Sequence, residues 1–399
     1  MKNATPRSTS DAARWLTQKP VPAVMMGLLI AAAAASAIIS IGFRHNDFLW
    51  HYRIGQGAWA GFIYADALGQ PAGDHYPVGR ALINMAMAGL PYYVARAVVW
   101  CLGILSLIVA LRGWHRMANV GLPVVRQVAK VAGLLSALLL LPLVFRDMDD
   151  CGLQLILLAM LGLAGASLVQ RQSWRCGFWL ALAITYKTTP VLFVGYLLYK
   201  RRWKEPLAIV LFVLLFNAIL PALVFGTQAT WDAHGRFFDR ALTALQLQDP
   251  SVNPVEPPKH QNFSLKPAIA RYLMTFEPTH PLFIAKEGQK DSNQQPLAPA
   301  SELVPARGFV QFFNLPPRTA NRVVTGLLLA LAGTLAWRFR RGMGAPDVPR
   351  DIAGEWAAVA LLCALLSPLC WKHHLVLALP CLFLVVRAGL GEVGNGQRV

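Results

Sequence analysis

The sequence predicts an all-α fold, a polytopic bundle of about eight transmembrane helices plus one re-entrant hairpin, with its larger loops outside the cytoplasm. Three observations carry this. Of 399 residues, 55% are hydrophobic and 14% charged, with a mean hydropathy of +0.44. That exceeds what one soluble core needs, so the surplus must face lipid. Apolar runs of roughly 20 residues recur from Met25 to near the C-terminus, the length that crosses a hydrocarbon layer about 30 Å thick. Lys and Arg gather at the ends of those runs, where membrane proteins place them.

Taken in order, spans are expected near 22–43, 92–111, 128–145, 152–170, 205–226, 320–337, 353–369 and 373–389. The first run has no small-residue cleavage pattern after it, so it reads as a retained span behind a cytoplasmic tail, residues 1–21. Residues 22–399 then form one domain. Basic flanks fix the orientation: Lys2, Arg7, Arg14 and Lys19; Arg112, Arg116, Arg126 and Lys130; Arg171 and Arg175; Lys200, Arg201, Arg202 and Lys204; and Arg338, Arg340 and Arg341 all belong inside. Residues 176–199 lie between two such flanks, which a single crossing cannot satisfy. Lys187-Thr188-Thr189-Pro190 stands in the middle, so two half-helices meeting there are expected, with Lys187 deep in the membrane. Both termini then lie in the cytoplasm, and 44–91, 146–151, 227–319 and 370–372 lie outside it. Between Gln248 and Arg307 the text reads as irregular loop, and Phe263 to Phe276 as helix.

A net charge of +17 raises nucleic acid as a partner, but no compact basic region with interleaved aromatics exists. Anionic membrane lipids fit the scattered cations better. The six cysteines show no CxxC spacing and read as inert thiols, with a Cys151–Cys370 disulfide as the alternative.

Ionisable groups near the membrane core are costly, so those at span ends are functional candidates. Four clusters qualify. Arg44-His45-Asn46-Asp47-Phe48 follows the first span, with Trp50, His51 and Tyr52 and then Asp74-His75-Tyr76-Pro77. A carboxylate at the lipid boundary gains basicity, which suits Asp47 to act as a general base, against an interfacial residue in an aromatic belt. Arg146-Asp147-Met148-Asp149-Asp150 offers an arginine for a phosphate and three acids for a divalent ion, or only a solvated turn. Lys187 with Thr188 and Thr189 offers an ammonium and two hydroxyls to a lipid phosphate, or a structural lysine against carbonyls. Leu366-Ser367-Pro368-Leu369-Cys370-Trp371-Lys372-His373-His374 joins the last two spans. Adjacent histidines diverge by about 100° on a helix, so hydrogen bonding to substrate or to Asp47 is expected over metal chelation. Asn262-Phe263-Ser264 matches a glycosylation sequon of little specificity, and Asn262, Lys266, Arg271 and Tyr272 share one helix-like segment that could line a polar groove.

These residues resemble the polyprenol-phosphate-mannose-dependent enzymes of glycosyltransferase family 87, within the C-type multi-span transferases. The resemblance covers most of the chain. It rests on Asn46-Asp47-Phe48 with Tyr52, His75-Tyr76-Pro77, Leu90-Pro91 with Trp100, and Tyr186-Lys187-Thr188-Thr189-Pro190 ahead of Lys200-Arg201-Arg202-Trp203. It continues in Asn262-Phe263-Ser264-Leu265 with Arg271, and in Leu365-Leu366-Ser367-Pro368 with Trp371, His373 and His374.

The resemblance implies a multi-pass protein of a bacterial-type inner membrane with an extracytoplasmic active site. Its activity would be inverting transfer of a hexose, mannose first, from a polyprenyl-phosphate sugar to a lipid or glycan acceptor. Asp47 would be the base, with His373 and His374 beside it. Arg44, Tyr52, Tyr76, Arg146, Lys187, Asn262, Lys266, Arg271 and Trp371 would bind substrate. At the fourth span the chain reads Cys151-Gly152-Leu153-Gln154 where many members carry a Gly-Gln pair and an Asn, which leaves a metal on Asp147, Asp149 or Asp150 open. No cofactor is expected, because basic residues can neutralise the leaving phosphate. A transporter or lipid flippase is the competing reading, but it predicts charges spread through the midplane and two comparable halves. A non-catalytic membrane partner would need none of the clusters.

Overall fold

The computed structural model describes residues 20–42, 47–65, 67–69, 76–119, 126–149, 153–246, 250, 262–274, 312–340, 348–367 and 370–395. All of its regular elements are helical, as expected. They are α1 Pro20–Gly42, α2 Asp47–Trp59, α3 Arg80–Ala88, α4 Tyr92–Asn119, α5 Arg126–Leu139, α6 Leu141–Asp149, α7 Leu153–Val169, α8 Ser173–Tyr186, α9 Leu192–Tyr199 and α10 Lys204–Phe225. After these come α11 Thr227–Gln246, α12 Leu265–Leu273, α13 Pro317–Arg338, α14 Val348–Leu365, a 3-10 turn Lys372–Ala378 and α15 Leu379–Asn395. The expected tail falls almost wholly outside the described residues, as does most of the irregular stretch from Gln248 to Arg307.

Five helices among the described residues are long and apolar enough to cross a membrane: Pro20–Ile41, Tyr92–Asn119, Lys204–Phe225, Pro317–Arg338 and Lys372–Leu390. The segment expected near 128–145 is a pair, α5 and α6, bent by 67°, and makes six if counted as one span. The segments expected at 152–170 and 353–369 form shorter apolar helices, Leu153–Val169 and Ile352–Leu365. At 17 residues α7 is about 25 Å long, and almost all of it is buried against the rest of the bundle. Its uniform apolarity therefore serves the centre of the protein, as befits a helix surrounded on every side.

Small residues let that central helix be approached closely. A Cβ placed on Gly113 of α4 would stand 2.7 Å from the backbone of Gly162 in α7, closer than packed carbons come. Without a hydrophobic drive between helices in lipid, such backbone contact is how membrane helices associate. Gly113→Val should therefore destabilise the bundle by roughly 1–3 kcal/mol. A lower thermal midpoint in detergent checks this, and an unchanged one would mean that the two helices separate freely.

The expected break at Lys187-Thr188-Thr189-Pro190 is present. Helix α8 ends at Tyr186, a 3-10 turn occupies Thr189–Val191, and α9 starts at Leu192. Three extramembrane helices were not legible. Two, α2 and α3, fill the first loop and pack where Gly55 meets the backbone of Asn84. The third, α11, rests Ala233 on Val78, Ala81 and Tyr64.

Polar contacts sort the helix ends into two sets. At one end Ser173 donates to Glu205 at 2.8 Å, and Arg202 pairs with the same carboxylate. There too Lys200 reaches Glu355 at 2.7 Å, while Tyr196 donates to that acid at 2.7 Å. Arg387 donates to Asn119 at 2.8 Å. The other end gathers the last turns of α1, α6 and α8 with the first turns of α2, α4, α7 and the 372–378 segment, and here the expected site residues meet.

Candidate active site

Lys187 stands at the centre of that end. It follows α8, where the helix stops because Pro190 cannot continue it and Lys187 itself takes an extended backbone with φ −154°. Its side-chain nitrogen Nζ lies 3.1 Å from Nε2 of His374 and 3.4 Å from Oε1 of Gln154 at the start of α7. His374 is held in turn by its own loop. Its Nδ1 accepts the backbone N–H of Trp371 at 3.1 Å, and its N–H donates to the Trp371 carbonyl at 2.9 Å. His373 is buried beside it, ring edge to ring face at 4.4 Å.

The loop carrying these residues is latched from afar. Oδ1 of Asn262 accepts from Cys370 N at 2.9 Å and Ser264 N at 3.0 Å, and lies 2.8 Å from Ser264 Oγ, whose one proton it shares with the Ser367 carbonyl. Phe263 N donates to the Cys370 carbonyl at 2.7 Å, and Ser264 Oγ donates to the Ser367 carbonyl. Asn262 is 4% exposed, so the sequon is no glycan acceptor in the folded protein. Arg271 donates to the Asn262 carbonyl, and burial lowers its proton affinity. Asn262→Ala should remove roughly 2 kcal/mol of local hydrogen bonding, at about 1 kcal/mol for each backbone donor. The loop would then loosen, which hydrogen exchange at Cys370 and His374 can read. Unchanged protection there would mean that the latch is redundant.

Cys370 is a free thiol, and burial pushes it up to about 11, so it stays protonated near neutral pH. Cys151 lies outside the described residues.

The acidic turn divides its work. Asp147 is fully buried and points at the start of α7, where Oδ1 accepts Gln154 N at 3.0 Å and Oδ2 accepts Leu155 N at 2.9 Å. Two of the orphan amides of that helix are satisfied by a side chain from the preceding one. Asp149 accepts Ser40 Oγ at 3.2 Å and faces Arg146 at 3.9 Å, with Arg146 half-exposed. Asp150 lies outside the described residues. Among the described residues no three His, Cys, Asp or Glu side chains converge.

The first cluster is described in part. Asp47 opens α2, while its side chain and all of Arg44, Asp74 and His75 lie outside the described residues. Tyr52 is buried, with its hydroxyl on the Leu90 carbonyl at 2.8 Å and its ring against Tyr92, so it braces α2 on α4. Tyr76 stacks near Trp50 and His51, at 5.9 and 5.6 Å between ring centres. Lys266 sits half-buried in the first turn of α12.

Two residues that the sequence analysis passed over join these pieces. Arg80, 2% exposed at the start of α3, lies 3.7 Å above the Tyr186 ring and donates to the Tyr186 carbonyl at 3.0 Å. It thereby ties the first loop to the residue next to Lys187. Asn217 projects from a π-helical turn, Leu215–Ile219, inside α10; it accepts Gly79 N at 3.0 Å and donates to Thr185 Oγ1 at 2.8 Å. An extra residue in one turn is a common way to aim a polar side chain inward. The signal was available, since Asn217 stands alone in the run Leu214-Leu215-Phe216-Asn217-Ala218 and intramembrane polar residues rarely lack a task.

The arrangement defines a membrane-embedded helical protein with a cluster of polar side chains at one end, among them Arg80, Lys187, His373 and His374. The model of glycosyltransferase family 87 matches residues 75–368, and the chain belongs to that family. It is a membrane glycosyltransferase. Neither the curated proteins nor the solved structures give a match. Asp47 precedes the matched stretch and His373 and His374 follow it, so their roles rest on where the chain places them.

Proposed function

We propose that the protein transfers a hexose, mannose first, from a polyprenyl-phosphate sugar to a lipid or glycan acceptor outside the cytoplasm, with inversion at the anomeric carbon. The observation that carries this is Lys187, half-buried beside His374 at one end of the bundle, while Lys200, Arg201, Arg202, Arg171 and Arg175 gather at the other. By the bias of basic residues toward the cytoplasm, the pocket opens on the opposite face and both termini are cytoplasmic.

In this reading Asp47 takes the proton of an acceptor hydroxyl. The freed oxygen attacks the anomeric carbon, and the carbon–oxygen bond to the lipid phosphate breaks. Lys187, with Arg80 behind it and Arg146 at the rim, neutralises the charge growing on that phosphate. Charge development is met by side chains of the chain itself, so no step runs through a metal. Tyr76 and Trp371 offer flat faces to the sugar.

The test is radiolabelled polyprenyl-phosphate mannose in liposomes holding the purified protein and extracted membrane acceptors. Label should move onto a new lipid or glycan. Label that only crosses the bilayer, still on its original lipid, would instead establish a flippase.

A further inference from the structure

His374 poses a question of proton placement that its partners answer. Its Nδ1 accepts the Trp371 N–H, so that nitrogen carries no proton. In a neutral ring the proton then sits on Nε2, which is the atom 3.1 Å from Lys187 Nζ. An N–H can approach that nitrogen as a hydrogen bond only if Nζ has a lone pair to accept it. An ammonium has none. The third partner agrees, since Gln154 Oε1 at 3.4 Å can take one of the two hydrogens left on an amine.

The other groups facing Lys187 are Asp147 on α6, Arg80 on α3, Cys363 on α14 and Cys370 on the loop. Asp147 has both oxygens committed to the first turn of α7. Arg80 is a permanent cation that disfavours a second one nearby. Both cysteines are free, buried thiols.

We infer that Lys187 rests as an uncharged amine, kept so by the Nε2–H of His374, and takes one proton from solvent when an anionic phosphate group enters the pocket. The phosphate supplies the negative charge that makes an ammonium favourable. The new N–H bonds turn to its oxygens, and His374, now facing a donor with a donor, swings away. The lysine therefore acts as a cation only with substrate present, and the empty pocket is spared two adjacent buried charges. This rests on the phosphate-sugar reading above, but its first test does not.

That test is NMR of full-length protein labelled with carbon-13 at lysine Cε in nanodiscs, near neutral pH, with Lys187→Arg assigning the resonance. Should that variant not fold, Lys187→Gln assigns it. A resonance at the amine position without ligand supports the proposal, and one at the ammonium position overturns it. The second test is calorimetry with farnesyl methyl phosphate, a phosphodiester whose single charge is fixed, in two buffers of different ionisation enthalpy. Wild type should take up about one proton per molecule bound and Lys187→Arg none. Binding without uptake overturns the stored amine and leaves the donor reading standing. No binding at all overturns the donor reading and the linked uptake with it.

Discussion

Asp47→Asn should lower kcat for sugar transfer by about 10²–10⁴-fold, the range in which a positioned general base acts, with KM changing far less. Asparagine keeps the size and one acceptor oxygen of the residue that opens α2 but cannot take a proton. Two features hold the start of α2 at the end of the bundle that carries Lys187. Four residues separate it from α1, and the last turn of α1 is tied to Asp149 through Ser40. Helix α2 is also braced on α4 through Tyr52 and Leu90. The check is kcat and KM with a fixed donor, on protein with unchanged thermal stability. If kcat stays within a few-fold of wild type, the base is another group, and His373 and His374 become the candidates to replace next.

Asp147→Ala should be the most damaging change to stability among the polar residues of the site. It deprives the Gln154 and Leu155 amides of their acceptor, in a place no water replaces it. Hydrogen bonds to a charged group contribute roughly 1.5–3 kcal/mol each, so about 3–6 kcal/mol is at stake. For a chain of this size that is a fall of roughly 4–7 °C in thermal midpoint, provided unfolding is cooperative. Asp147→Asn retains one acceptor and should lose about half as much. Activity should fall with stability, since Gln154, a partner of Lys187, sits in the turn that Asp147 holds. A Tm for Asp147→Ala within a degree or two of wild type would show that the first turn of α7 is capped some other way.

The residues that could be read in advance announce themselves without tertiary structure. Length and apolarity gave the helices, and proline beside lysine gave the break after Tyr186. The meeting of Lys187 with His374 was not legible, since the sequence puts Lys187 deep in the membrane and the histidines toward substrate or Asp47. What could not be read depends on contacts. Composition shows an acidic cluster at 147–150, readable as a solvated turn or as a metal or phosphate site, and only the start of α7 folding back onto Asp147 reveals a helix cap. Asn262 reads as a groove residue or a sequon until the loop at Cys370 is seen lying on it. Arg80 sat in a segment assigned to loop, where an arginine is unremarkable until α3 and its Tyr186 carbonyl acceptor are seen. Helix α11 is amphipathic and was hidden by the assumption that the stretch after the fifth span is a connection.

The pocket is closed by partners far apart in the chain. Lys187 and His374 are 187 residues apart, and Asn262 holds a loop 108 residues further on. During synthesis the ribosome releases Lys187 long before the piece that completes its surroundings, because His374 follows it by 187 residues. A nascent chain thus carries Lys187 in the bilayer for most of its production without its histidine. On this reading the cluster around Lys187 is complete only once the segment that carries His374 has reached its place.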